Sequence, residues 1–376
     1  MKSQEESLHS QHRVCVINCS DTCENSGFMW QRVLGFLRAN NYDVGPALDG
    51  CQTILVNTCC VTQGRIKQAQ ETIAAARRAG PHARVIIFGC LAGLSDARAL
   101  GNDVVLIGPH SLADLQQHFP YQVPLAESVS GTLDAEALCP YQQKVNNQDA
   151  FVLIAQGCVN NCSYCNIKRA KGNVSSVQRT AICAAIEQGL AHGRQEFVLL
   201  ADDCGSYGAD VGTNLLDVLD AIAKIDRRVR VKLHSLFPGE FLAMAAGLIE
   251  LAAGGLISYA NIPVQSGSQR VLAMMNRNYD IAAVAARLAQ LRARAPATWL
   301  HTHFIVGFPG ETDADFAASL RLVPQFDEVL FLAYSDNPGT RAARLDSKVD
   351  AAVVRARLAE VKRRFPSSCV TVISDT

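Results

Sequence analysis

The stretch QGCVNNCSYC, residues 156–165, carries Cys158, Cys162 and Cys165 in the spacing C-x3-C-x2-C. Soft thiolate ligands suit iron and zinc, and three thiolates this close along a chain can hold three irons of a cubane cluster. A cluster built for electron transfer takes four cysteines. Three leave one iron without a protein ligand, where another molecule can bind. A structural zinc site wants four closed ligands, and no further cysteine or histidine follows nearby. The triplet comes directly after an apolar run, 150–155, that reads as a strand.

Beyond it, apolar runs alternate with helical spacings. Further strands are expected at 196–200, 229–233, 259–264, 299–306 and 328–332, and helices at 177–191, 215–225, 240–253, 281–293 and 313–323. Six strand–helix units predict a partial (β/α)6 TIM barrel, open on one side, whose chemistry sits at the carboxyl ends of its strands. The triplet falls at that end of the first strand. A last helix, 351–364, closes this domain, with a short tail after it.

Upstream the chain has a second alternating series. Strands are expected at 14–18, 53–57, 84–88 and 104–107, and helices at 28–40, 66–78 and 111–118. Such alternation predicts a parallel, flavodoxin-like α/β sheet with covered faces. Cys19 follows its first strand, Cys59 its second and Cys90 its third. Strand ends share one edge in an open parallel sheet, and ligands bind there. Three cysteines far apart in sequence thus reach one rim, which predicts a second three-thiolate site. Cys60, Cys15 and Cys23 compete for it. A strand-to-helix turn exposes only one of Cys59 and Cys60, and Cys23 is expected inside the start of the helix region. Cys51, Cys139, Cys183, Cys204 and Cys369 read as structural or incidental. The expected boundaries are a disordered tail 1–12, a first domain 13–120, a Pro/Gly-punctuated linker 121–148 and a barrel domain 149–376.

Lys+Arg and Asp+Glu both number 35, so charge does not favour tight binding to RNA or DNA. Arg227, Arg228, Arg230 and Lys232 form the local basic candidate. Fourteen cysteines without a secretory signal in the polar N-terminus point to metal ligation in the cytoplasm, not to disulfides. No apolar run approaches a membrane span.

With these motifs in this order, the chain resembles the radical S-adenosylmethionine (SAM) methylthiotransferases from residue 14 to about residue 345. Besides QGCVNNCSYC, the resemblance rests on VNTCCV (56–61), FGCLA (88–92), IPVQSGS (262–268), FIVGFPGET (304–312) and YSDNPGT (334–340). It implies two 4Fe–4S clusters: a radical cluster on Cys158, Cys162 and Cys165, and an auxiliary one on Cys19, Cys59 and Cys90. It also implies reductive cleavage of SAM, hydrogen removal from an unactivated C–H and insertion of a methylthio group, with a flavodoxin- or ferredoxin-type electron donor. Tyr164 is expected beside the adenine, and Asp203, with Asp202 less favoured, near the ribose and amino group. Gln265, Gly307, Gly310 and Phe308 complete the expected cofactor cradle, with Ser266, His234 and His303 as lesser candidates. Arg277 and Lys171 are candidate carboxylate partners.

IGPHSLADL (107–115), LLADDCGSYG (199–208), VKLHSLFP (231–238) and FIVGFPGET are similar to the branch that modifies a ribosomal-protein aspartate, while IPVQSGS and NPGT lean to the tRNA branch. Departures fall at Thr22, at 25–27, and at Lys168, Lys171 and His303. The family's C-terminal docking barrel needs roughly 60 residues of short strands, and it is expected to be missing. The reading is therefore a methylthiotransferase acting on a protein, peptide or small molecule. Alternatives are a tRNA substrate, sulfur insertion without methyl transfer, or a non-enzymatic iron–sulfur scaffold.

Overall fold

A computed structural model describes residues 12–20, 23–94, 100–101, 103–125, 129–133 and 143–374. Packing divides the chain into two units. One comprises residues 1–128, 136–139 and 169–172; the other comprises 129–135, 140–168 and 173–376.

The first unit contains β1 (Arg13–Asn18), α1 (Glu24–Ala39), β2 (Asp43–Gly45), β3 (Thr53–Thr58), α2 (Gln63–Ala79), β4 (Arg84–Gly89) and β5 (Val105–Ile107). Its sheet runs β2-β1-β3-β4-β5 with every pairing parallel, the flavodoxin-like order. Central β3 is buried at all six positions, as a parallel strand covered on both faces must be. The amphipathic α1 buries Phe28, Met29, Trp30, Val33, Phe36 and Leu37. Three details depart from the expectation. α1 starts at Glu24, so Cys23 precedes the helix as its N-cap. The helix expected at 111–118 is a 3-10 helix, Leu112–His118. His12, assigned to the tail, packs edge-on against Tyr42 and lies 3.0 Å from the Thr53 hydroxyl; the rest of that tail lies outside the described residues.

The second unit contains β6 (Ser130–Gly131), β7 (Ala150–Leu153), β8 (Ala155–Gln156), α3 (Asn166–Lys171, whose last residues pack with the first unit), β9 (Ser175–Ser176), α4 (Arg179–Ala191), β10 (Glu196–Leu200), α5 (Leu215–Ala223), β11 (Arg230–His234), α6 (Pro238–Ala253), β12 (Ile257–Asn261), α7 (Gln269–Met274), α8 (Ile281–Arg294), β13 (Trp299–Val306), α9 (Asp313–Leu322), β14 (Glu328–Ala333), α10 (Ala351–Arg364) and β15 (Val370–Ile373). The six expected strands lie in parallel, in sequence order, as β7 and β10–β14. β15, expected only as tail, adds in parallel to β14, and β6, inside the expected linker, pairs antiparallel with β7. Residues 126–128 and 134–142 of that linker, Cys139 among them, lie outside the described residues.

Alternation along the strands sorts their side chains. Val231, Leu233, Ala260, Leu300 and Phe304 join the apolar core, while Lys232, Tyr259, Asn261, His301 and His303 take the alternate positions. The expected basic patch accordingly disperses. Lys232 is buried and donates to Asp149 at 2.8 and 2.9 Å, and Arg228 is paired with Asp226. Among the described residues, no helix is long and apolar enough to cross a membrane.

Candidate metal centres

The barrel triplet lies in the loop after β8. Gly157 has φ +76, and its N–H donates to Asp202 Oδ2 at 2.8 Å. Each thiol of the loop then receives one N–H donor. Asn160 N donates to Cys158 Sγ at 3.3 Å, Arg277 Nη1 to Cys162 Sγ at 3.4 Å, and Lys168 N to Cys165 Sγ at 3.4 Å. Such hydrogen bonds hold ligand sulfurs in place and tune a cluster's potential. Burial pushes the Cys158 thiol up to about 12 and Cys165 up to about 11, with Asp203 raising Cys158 further and Cys162 raising Cys165. These thiols keep their protons until a metal displaces them.

Arg277 anchors the loop. It is buried, and besides Cys162 it donates to Tyr164 Oη, Pro263 O and Tyr279 Oη at 3.3, 2.6 and 3.2 Å. Its guanidinium lies 4.2 Å from the Phe237 ring centre. Its described partners are thus a thiol, two phenols and a carbonyl, in place of the expected carboxylate. The loop backbone is pinned as well, with Ser163 N and Oγ donating to Met275 O and Met274 O at 2.8 and 2.9 Å.

Asp203 is buried and already committed. Its Oδ1 accepts from Gly205 N and Phe237 N at 3.0 Å each, and its Oδ2 accepts from Ser206 Oγ at 2.6 Å and Asn160 Nδ2 at 3.2 Å. It organises the strand end and has little capacity left for a ligand. Glu240 Oε1 takes the other Asn160 contact at 3.1 Å, while its Oε2 is buried without a hydrogen-bond partner. Burial and the charge of Asp203 push Glu240 up to about 7. The sequence reading missed this open acceptor, because Glu240 looks like an ordinary first-turn helix acid.

Tyr164 packs edge-on to Phe308 with ring centres 6.4 Å apart, and Phe308 packs edge-on to Tyr334 at 5.4 Å. The three rings form one aromatic row. Gly307 has φ +83, and a Cβ there would meet Val354 at 2.4 Å; helix packing accounts for this glycine. Gln265 has φ +68, with its amide oxygen buried and unpartnered. Ser266 is fully buried, and its Oγ accepts from Ser268 N at 3.2 Å. His303 lies 4.8 Å ring-to-ring from His301, and burial first, then the fields of His234 and Arg277, hold it down to about 3. Cys204 is buried and its thiol points to Leu199 O at 3.4 Å, a packing role.

In the first unit, Cys19 N donates to Asn57 O at 2.8 Å, Cys90 N donates to Thr58 O at 3.1 Å, and Val61 N donates to Cys59 Sγ at 3.4 Å. The three thiols thus stand at the carboxyl ends of β1, β3 and β4. Gly89, φ +101, lets β4 come close, since a Cβ would meet Thr58 O at 2.6 Å. Burial pushes Cys59 up to about 11, and Cys90 raises it further. Cys60 is fully buried, and Cys15 donates to Pro46 O. Among the described residues no group of three His, Cys, Asp or Glu is placed to hold a metal ion; a cubane spreads its thiolates over three irons. Thiols on one sheet edge, one of them receiving an N–H at its sulfur, are donor chemistry that such a cluster takes.

Residues 152–323 match the radical SAM superfamily model, and residues 16–106 match the uncharacterized protein family UPF0004. A solved radical SAM methyltransferase, TsrM from Kitasatospora setae, with cobalamin and a 4Fe–4S cluster bound, shares the fold. Its TM-score is 0.56 at 12% identity, covering 85% of this chain and 74% of that one. The fold and the matched superfamily define a radical SAM enzyme. A probable threonylcarbamoyladenosine tRNA methylthiotransferase of Pyrococcus abyssi is 31% identical over 79% of this chain and 71% of its own length. A ribosomal protein uS12 methylthiotransferase of Desulfotalea psychrophila is 30% identical over 88% and 77%. The chain belongs to the radical SAM methylthiotransferase family, an enzyme family that uses SAM and two 4Fe–4S clusters.

Proposed function

We propose that this enzyme inserts a methylthio group at an unactivated C–H bond of a protein, peptide or small-molecule substrate. In this reading Cys158, Cys162 and Cys165 hold the radical cluster, and Cys19, Cys59 and Cys90 hold the auxiliary one. The observation that carries it is the loop in which each of three thiols has its own N–H donor. When bound, the clusters and SAM supply the electron, the carbon radical and the sulfur.

The protein's part is placement. Arg277 and the Asn160 and Lys168 amides each donate to one of the three sulfurs. The Tyr164–Phe308–Tyr334 row offers a wall for an adenine-like ring, and the open Oε2 of Glu240 offers an acceptor for an ammonium or hydroxyl donor. A reducing cytoplasm suits a cysteine-rich chain, and a flavodoxin- or ferredoxin-type protein is the electron donor in this reading.

The curated relatives include enzymes named for a ribosomal protein and for tRNA. The balance of 35 basic and 35 acidic residues favours the protein or peptide side. Anaerobically reconstituted enzyme should carry about eight irons, four per cluster, and should cleave SAM when reduced. Product mass then tests the outcome. A gain of one SCH3 supports the reading, and a gain of sulfur alone would replace it with sulfur insertion without methyl transfer.

A further inference from the structure

One residue meets the thiol loop at two points. Lys168 lies half-buried in the first turn of α3. Its amide N–H donates to Cys165 Sγ at 3.4 Å. Its side chain folds back along the loop, where Nζ donates to Cys158 O and, at 2.9 Å, to Asn173 Oδ1. Lys168 thus touches both the first and the last cysteine of the triplet. The described partners of its ammonium are two neutral oxygens, so neither cancels its charge. The other charged groups at the loop divide by sign. Arg277 Nη1 lies 3.4 Å from Cys162 Sγ. Against the two cations, Asp203 Oδ2 lies 3.8 Å from Cys158 Sγ, and Asp202 Oδ2 accepts from Gly157 N at 2.8 Å. Cys158 therefore stands between an acid at its sulfur and an ammonium at its carbonyl.

A cluster on these thiolates becomes one charge more negative when it takes up an electron. A fixed cation and N–H donors at the sulfurs favour that state, and fixed carboxylates oppose it. We propose that Lys168 raises the reduction potential of the cluster on Cys158, Cys162 and Cys165, through its ammonium at Cys158 and its amide at Cys165. This rests on the loop-cluster reading above. The electron comes from the external donor protein, and no bond forms or breaks at Lys168. The residue's part is to offset the acids at the loop, which widens the set of donors that can reduce it toward weaker reductants. Arg277 adds to the same field, but its many contacts also hold the loop in shape. Lys168 reaches the loop from its edge, so its charge can be removed with less disturbance of the fold.

The test uses the full chain with Cys19, Cys59 and Cys90 changed to Ala, so that only the loop cluster assembles. Its midpoint potential is read by EPR during an anaerobic titration with dithionite. The titration is repeated with Lys168→Gln, Lys168→Arg and Lys168→Pro added. Gln removes the charge, Arg keeps it, and Pro removes both charge and amide N–H in a first helical turn that tolerates it. At the parent's midpoint, the ratio of reduced to oxidised cluster should fall roughly threefold to tenfold in Lys168→Gln. The upper figure corresponds to about 59 mV for a one-electron couple. Lys168→Pro should fall further, and Lys168→Arg should stay close to the parent. A Gln midpoint equal to the parent's, or an Arg midpoint as low as that of Gln, would overturn the proposal. A parent chain with no reduced-cluster signal would overturn the loop reading itself, a distinguishable failure. Should Lys168→Pro fail to hold iron, the Gln and Arg variants decide alone.

Discussion

The barrel loop and the first unit's sheet edge both gather thiols, by opposite means. Cys158, Cys162 and Cys165 lie within eight consecutive residues, and connectivity alone keeps them together. Cys19, Cys59 and Cys90 come from three strand ends and share one sheet edge only because β1, β3 and β4 pair in parallel register. A contiguous ligand set is robust to distant changes in its fold but needs help in aiming each sulfur. A dispersed set is aimed by the sheet and fails when the sheet edge loosens.

The strongest break of this comparison is functional. Cys158→Ala should reduce SAM cleavage to background, measured as 5′-deoxyadenosine released by the reduced enzyme. Cleavage left intact would sink the assignment of the loop. Cys59→Ala should leave cleavage within about twofold but abolish sulfur insertion, read by product mass; loss of both activities would deny the division of labour. Arg277→Met removes the charged side-chain donor to Cys162. Outer-shell changes of this kind cost roughly 10–100-fold in activity or metal affinity, so cleavage should fall by that factor while iron at the sheet edge persists.

Asn57→Ala probes the dispersed set. It removes a buried amide that joins three elements and should cost about 1–3 kcal/mol in denaturant unfolding. Auxiliary iron should be lost in preference to loop iron, and equal loss from both would mean the two sites are not set independently. The smallest effect concerns pH. His303 has its pKa depressed from 6.5 to about 3 by burial and by neighbouring positive charge. Its neutral form therefore contributes stability that is present above pH 6.5 and lost as pH falls toward 3. The slope is at most about 1.4 kcal/mol per pH unit. His303→Gln should flatten the loss of stability between pH 7 and 5, and an unchanged slope would place the acid sensitivity elsewhere.

The element order and the strand ends that carry the cysteines were legible because period-2 and period-3.6 patterns are local, and parallel topology follows from their alternation. The misreadings have physical reasons. β15 is four residues in a short tail, and its strand character comes from pairing with β14. Lys232 looked like a surface charge among arginines, but its place on β11 buries it against Asp149. Asp203 accepts from Gly205, Ser206, Phe237 and Asn160, while Glu240, unremarked in the sequence, holds an open oxygen.

By itself the amino-acid sequence determined two α/β units, the contiguous cysteine triplet and the three strand ends that carry Cys19, Cys59 and Cys90. These follow from residue type and short spacing, which need no partner elsewhere in the chain. Tertiary structure alone decided that Arg277 serves Cys162 across 115 residues, that Gly307 makes room for Val354 and that Asn57 ties Asn18 to Ser26. Each depends on where distant backbone segments come to rest, which packing and pairing fix only once the whole sheet has formed.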